Sequence, residues 1–182
     1  MASLAERMAG AMKADVKTFQ EIEADPTAIG QAVTVIVIAG LASLIGNIWR
    51  LGAFAGLMAL VANLIGYALW TVLVVLIGTK VMPEPTTKAD FNEAFRVIGF
   101  TASPGVFNIL AIIPFLGPLV SFVVWIWMIV VGVVAVREVL DYSNTGRAII
   151  VCLIAAVACW IVVTILLLPV MVGNAVIGGM TR

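Results

Sequence analysis

Between Val97 and Val136 forty consecutive residues carry no Asp, Glu, Lys or Arg, and Pro114-Phe115-Leu116-Gly117-Pro118 interrupts them near the middle. A single helix of that length would measure about 60 Å, twice the ~30 Å hydrocarbon core of a bilayer. The run therefore predicts a hairpin that crosses a membrane, turns at the two prolines and crosses back. Three further apolar stretches have the length of one crossing, giving five predicted spans at about 28–49, 54–79, 97–113, 118–137 and 148–168. Trp49-Arg50-Leu51-Gly52 is the corner between the first two, and Lys80 with Pro83-Glu84-Pro85 stops the second. Pro169 is expected to end the fifth, leaving 170–182 as a short exoplasmic tail that cannot recross. The pattern predicts an all-α, five-span membrane bundle over residues 26–170.

Residues 1–25 follow another rhythm. Leu4, Met8, Met12, Val16, Phe19 and Ile22 recur at intervals of three and four, the stripe of an amphipathic helix, with Ser3 and Glu6 as a capping box. Arg7, Lys13 and Lys17 fall on its polar face, so the helix is expected at the interface, on the leaflet or against its own spans. Asp25-Pro26 is expected to cap and begin the first span. Thr87 with Asp90, followed by Phe91 and Phe95 on one face, predicts an interfacial lead-in to the third.

Composition agrees with a membrane solvent: 63% of the chain is hydrophobic and 11% charged, against roughly 25% charged in a soluble domain. Over these 182 residues one integral membrane domain is expected, with no separate soluble catalytic domain. The mixed charges of residues 1–27 do not make a signal peptide, so the first span is expected to be an uncleaved anchor. The ten basic and ten acidic residues cancel, which removes the argument for nucleic acid. Their distribution matters more. Arg7, Lys13, Lys17, Lys80, Lys88, Arg96, Arg137 and Arg147 fall on one side of the predicted topology and only Arg50 and Arg182 on the other. By the positive-inside rule the N-terminus is expected to be cytoplasmic and the C-terminus exoplasmic.

The spans offer little chemistry. The chain contains no His, and no Asp or Glu lies between Ala28 and Pro83 or between Ala94 and Arg137. Proton relays, metal-dependent or aspartyl proteolysis and carboxylate-lined ion paths need such groups at membrane depth. Ser43, Ser103 and Ser121 have no base beside them. Cys152 and Cys159 lie two helical turns apart without further ligands and read as packing residues. No catalytic residue, cofactor or metal site is therefore expected. Asn63, Tyr67 and Thr71 share one helix face, either as interhelical hydrogen-bonding groups or as the lining of a groove. Gly52 with Gly56, and Ala39 with Ser43, are small pairs that favour close helix approach.

The third and fourth spans carry a more specific signal: Arg96-Val97-Ile98-Gly99-Phe100-Thr101-Ala102-Ser103-Pro104, then Pro114, Gly117 and Pro118, then Arg137-Glu138. In order, span count and topology this resembles the bacterial form of the Yip family, the Ypt/Rab GTPase-interacting proteins, over about residues 15–170. Gly99, Phe100 and Pro104 match the family's Gly-Tyr-xxx-Pro signature with Phe in place of Tyr. The resemblance implies a non-enzymatic, partner-binding or membrane-organising protein of the bacterial inner membrane. The acidic-Leu-Tyr-Gly-Pro motif of the longer eukaryotic N-terminus has no match here, which argues against a Rab-type GTPase as partner. The lipid bilayer and protein partners on the cytoplasmic side are expected. The rival is a lipid or small-molecule conduit, in an oligomer or alone, built on the Asn63, Tyr67 and Thr71 face with a kink at Pro104.

Overall fold

A computed structural model of the chain describes residues 2–113 and 115–180, apart from the side chains of Leu51 and of residues 166–180. Among them five segments are long and apolar enough to cross a membrane: Ala28–Gly46, Gly52–Val81, Phe91–Ile112, Gly117–Val139 and Thr145–Ile165. No strand occurs among the described residues. The protein is an all-α, multi-pass membrane protein.

The N-terminal segment is two helices, not the one that its stripe predicts. Helix α1 (Leu4–Met12) starts at the expected capping box of Ser3 and Glu6. It stops at Lys13 and Ala14, the latter at φ 54°, and α2 (Val16–Ala24) returns from an N-cap at Asp15. The Asp15 carboxylate accepts from the Thr18 amide and hydroxyl, satisfying donors that a continuous helix would have bonded internally. Gly10 lets the two arms touch, because a Cβ there would overlap the Thr18 side chain. Apolar spacing alone could not reveal the break, since both arms keep the same stripe.

Helix α3 (Ala28–Gly46) is the first span. Its N-cap is Thr27 and not Asp25, whose carboxylate instead accepts from the Thr27 amide at 2.9 Å and the Thr27 hydroxyl. Helix α4 (Ile48–Leu76) bends at Gly52, where φ is 74°, and passes into a π turn over Ile77–Val81. Gly52 is therefore a turn glycine, while Gly56 packs against Leu44.

Helix α5 (Phe91–Phe100) and a 3-10 segment (Ser103–Ile112) together make the third span. The expected lead-in is part of α5, and its cap is Asp90 with Glu93 in place of Thr87 with Asp90. Thr87 is drawn away because its hydroxyl donates to the Leu140 carbonyl at 2.9 Å. The change of helix type follows from Pro104, whose missing N–H leaves the Phe100 carbonyl without its helical donor. The Ser103 hydroxyl supplies that bond at 2.6 Å. A 3-10 segment rises about 2 Å per residue, so this 22-residue span reaches about 38 Å.

The fourth span, α6 (Gly117–Val139), follows a corner in which Phe115 takes φ 68°. Helix α7 begins at Thr145 and continues as helix through Pro169 to Met180, where the sequence predicts an end at Leu168. Proline withdraws one donor from a membrane helix without obliging the chain to stop.

The third span lies at the centre, with α3 on one side and α6 on another, while α4 packs on α3 and α5 and α7 closes against α4 and α6. Small residues set the approach of α3. A Cβ at Gly99 would stand 2.8 Å from the Cβ of Ala32, and one at Gly105 would stand 2.9 Å from the Cβ of Ala39. A Cβ at Gly46 would run into the Asn108 carbonyl oxygen. These contacts progress together along both segments, so α3 and the third span run parallel and in register.

Candidate polar platform and membrane groove

One end of the bundle gathers the N-terminal hairpin, the connection from Lys80 to Arg96 and the connection from Arg137 to Arg147. Its anchor is Arg7, which the sequence places on a polar face and the structure buries at 1% exposure. Its Nη2 donates to Glu21 at 2.9 Å and Asp25 at 2.8 Å, and its Nη1 donates to Gln31 on α3 at 2.9 Å. A charge can be buried this deeply because each nitrogen finds an acceptor and two of the partners are anionic. The available signal was position: Arg7 lies three residues after Leu4 and four before Ala11, on the buried stripe itself.

Further bonds attach α2. Arg96, also buried, donates Nη2 to the Glu23 carbonyl at 2.6 Å and leaves its Nε without a partner among the described residues. Gln20 Nε2 donates to Glu138 at 3.3 Å. Phe19 and Ile22 are wholly buried in the core. Of the two expected positions for the N-terminal segment, the structure shows it packed on its own spans.

Two acids at the end of the hairpin are shifted strongly and in opposite directions. Burial, then the nearby carboxylates of Asp141, Glu93 and Glu138, push Glu23 up to about 7 against the opposing pull of Arg96. The Thr27 hydroxyl, then the Arg7 guanidinium, hold Asp25 down at about 2.

The two connections lock onto each other. The Tyr142 hydroxyl, set at the end of α6, donates to the Met82 carbonyl at 2.8 Å and reaches the Gly78 carbonyl at 3.3 Å, taking up carbonyls at the π turn. Glu84 accepts from the Ser143 amide at 3.1 Å and pairs with Arg147 at 3.3 Å. Arg137 is half-buried, and its Nε donates to the Tyr142 carbonyl at 3.3 Å. Tyr142 and Glu84 carried no sequence signal, because their partners are about sixty residues away.

The residues of the family-like stretch are placed for packing. Gly99, Phe100 and Pro104 are buried in the third span, Gly99 against Ala32. Gly117 is buried at the start of α6, where a Cβ would stand 2.9 Å from the Ala111 carbonyl oxygen, and Pro118 is exposed in the first turn. Pro114 lies outside the described residues.

Asn63, Tyr67 and Thr71 separate. Asn63 and Tyr67 line a cavity of about 870 Å³ between α4, α6 and α7, together with Trp70, Thr101, Trp125 and Cys152 among others. Thr71 is buried, and its hydroxyl donates to the Tyr67 carbonyl at 2.8 Å. Most of the lining is aliphatic or aromatic, so the groove suits a hydrocarbon chain better than a hydrated solute. Among the described residues no three His, Cys, Asp or Glu side chains converge as metal ligands.

The Yip1 domain matches residues 9–176, nearly the whole chain. The protein belongs to the Yip1 domain family. No curated protein and no solved structure matches it. The match covers the hairpin from Ala9 onward, both connections and all five spans of this Yip1-domain protein, while Arg7 precedes it.

Proposed function

We propose that this Yip1-domain protein is a non-enzymatic scaffold that binds partners on, or organises, the bacterial inner membrane through its polar platform. The observation that carries the reading is the contrast between the two ends. All ten acidic residues and eight of the ten basic ones belong to the platform's three segments, whereas the spans between them hold no carboxylate positioned for catalysis. The eight-to-two split of Lys and Arg supports a cytoplasmic platform and an exoplasmic C-terminus. Photo-crosslinkers at exposed Lys88 and Asn144, compared with one at exposed Phe115, test the proposal in native membranes. Saturable protein adducts are expected from the first two and not the third; adducts to lipid alone from all three positions would refute it. A reporter fused after Arg182 is expected to be active only in the exoplasmic compartment.

A lipid-handling role is the second reading, favoured by the apolar cavity beside Asn63 and Tyr67. Single cysteines at those positions, with Cys152 and Cys159 replaced by serine, are expected to resist a membrane-impermeant thiol reagent if hydrocarbon fills the groove. Ready labelling would point to a hydrated conduit and count against both readings of the spans.

A further inference from the structure

The side chain of Asn63 makes no hydrogen bond among the described residues. Asn47, Thr71 and Thr79 return a donor to the carbonyl four residues back, whereas Asn63 does not and is exposed on the wall of the groove. Two routes give its depth. Eleven residues separate it from Gly52, where the second span begins, which is about 16 Å of helix. Across the antiparallel pair, Gly56 packs on Leu44 and Gly40 on Leu60. Gly40 lies six residues inside the end of α3 and Asn63 three residues beyond Leu60, which together make about 14 Å. Both routes put the amide near the middle of the ~30 Å hydrocarbon core, beyond reach of headgroups and bulk water. An unpaired amide is costly there.

The groove beside it is open because two of its lining residues are glycines. A Cβ at Gly66 on α4 or at Gly132 on α6 would meet no atom within 4 Å. Tyr67 and Thr101 lie side by side in the wall, with the Thr101 donor spent on the Ile98 carbonyl at 2.6 Å. Trp70 and Trp125 add two further aromatic side chains. Size limits the occupant. Along α4 the groove runs from Ala59 to Trp70, about 16 Å, and a helix about 10 Å wide would need about 1,300 Å³ over that length, against the 870 Å³ present. A phospholipid chain fits the space and brings no hydrogen-bonding atom to Asn63. An uncharged lipid whose polar group rests at mid-depth does both, and a flat ring suits the aromatic walls.

We propose that the groove between α4, α6 and α7 binds a prenylated quinone. The ring occupies the space between Gly66 and Gly132, one of its carbonyl oxygens accepts from the Asn63 Nδ2, and the prenyl tail runs along the groove. This rests on the lipid-handling reading of the groove and names its ligand.

The test uses the full chain in liposomes of phosphatidylethanolamine and phosphatidylglycerol with two photoreactive probes in turn. One is a prenyl-tailed azido-ubiquinone, the other a phosphatidylglycerol with a diazirine at the middle of one chain, and adducts are mapped by mass spectrometry. Saturable quinone adducts are expected within 125–133 and 149–156, displaced by unlabelled ubiquinone. Asn63→Leu keeps the size and removes the amide, and is expected to raise the half-saturating quinone concentration about tenfold. Gly66→Leu and Gly132→Leu fill the open space and are expected to abolish the adducts, with thermal unfolding of each variant measured alongside. Groove adducts of the phospholipid that unlabelled quinone does not displace would overturn the proposal and leave the lipid-handling reading standing. Groove adducts from neither probe would overturn both. Quinone labelling unchanged by Asn63→Leu would also overturn the proposal, since the amide would then play no part in the site.

Discussion

Gly99→Ala introduces a Cβ 2.8 Å from the Cβ of Ala32, where carbon atoms settle at about 3.5–4.0 Å. Neither side chain has a rotamer with which to move away, and both backbones are held in helices, so the strain falls on the packing of α3 against the third span. Overpacking of this kind costs about 1–3 kcal/mol, while replacing glycine by alanine in a helix returns about 1 kcal/mol. The single variant is thus expected to be destabilised by about 0–2 kcal/mol, and the sign alone proves little. A double-mutant cycle with Ala32→Gly isolates the contact, because helix propensity cancels and the removed methyl is the one that the new Cβ meets. Ala32→Gly alone is expected to cost about 1–2 kcal/mol from propensity and a lost buried methyl. The double variant is expected to be more stable than the sum by about 1–3 kcal/mol. Unfolding of all four proteins in mixed micelles, followed by tryptophan fluorescence, gives the coupling. Additivity within about 0.5 kcal/mol would mean that Gly99 and Ala32 do not touch as described.

Arg7→Met is expected to weaken docking of the hairpin by about 2–3 kcal/mol, below the usual cost of orphaning a buried pair because Glu21 is 45% exposed and can rehydrate. Hydrogen exchange of α1 and α2 reads this; unchanged protection would remove Arg7 from its anchoring role. Glu23 rises from 4.5 to about 7 in the docked state, so that state binds more protons between those values. Docking therefore weakens as pH rises through that window and levels off above it, and Glu23→Gln is expected to flatten the trend in α2 exchange. A persisting slope would assign it to another group. Asp25 works at the other extreme: its pKa falls from 3.8 to about 2, and its contribution is lost as pH drops through that range. Tyr142→Phe removes the hydroxyl that holds the Met82 carbonyl and is expected to cost about 1 kcal/mol in thermal unfolding.

The spans and their corners were legible because crossing a bilayer is a one-dimensional requirement on apolar length. The capping boxes were legible where their partners are local, as at Ser3 and Glu6, and misleading at Thr87, which spends its hydroxyl on Leu140 more than fifty residues away. Pro104 could be expected to disturb its helix, and of Ser103, Thr101 and a neighbouring helix it is Ser103 that takes up the freed carbonyl. That the 3-10 winding continues over ten residues, Ser103–Ile112, had no local signal. For the polar platform, charge positions were visible and their pairing was not. Arg7 looked like a surface residue until Gln31 and Asp25 were seen beside it.

Sequence by itself determined the solvent of this protein, the number of its spans, the concentration of charge in three segments and its resemblance to the Yip family. Each depends on composition along a line or on short motifs. Tertiary structure decided the return of the hairpin at Ala14, the burial of Arg7, and the divergence of Thr71 from Asn63 and Tyr67. Those features depend on which surfaces meet across many residues, and periodicity along one helix carries no information about the surface it meets.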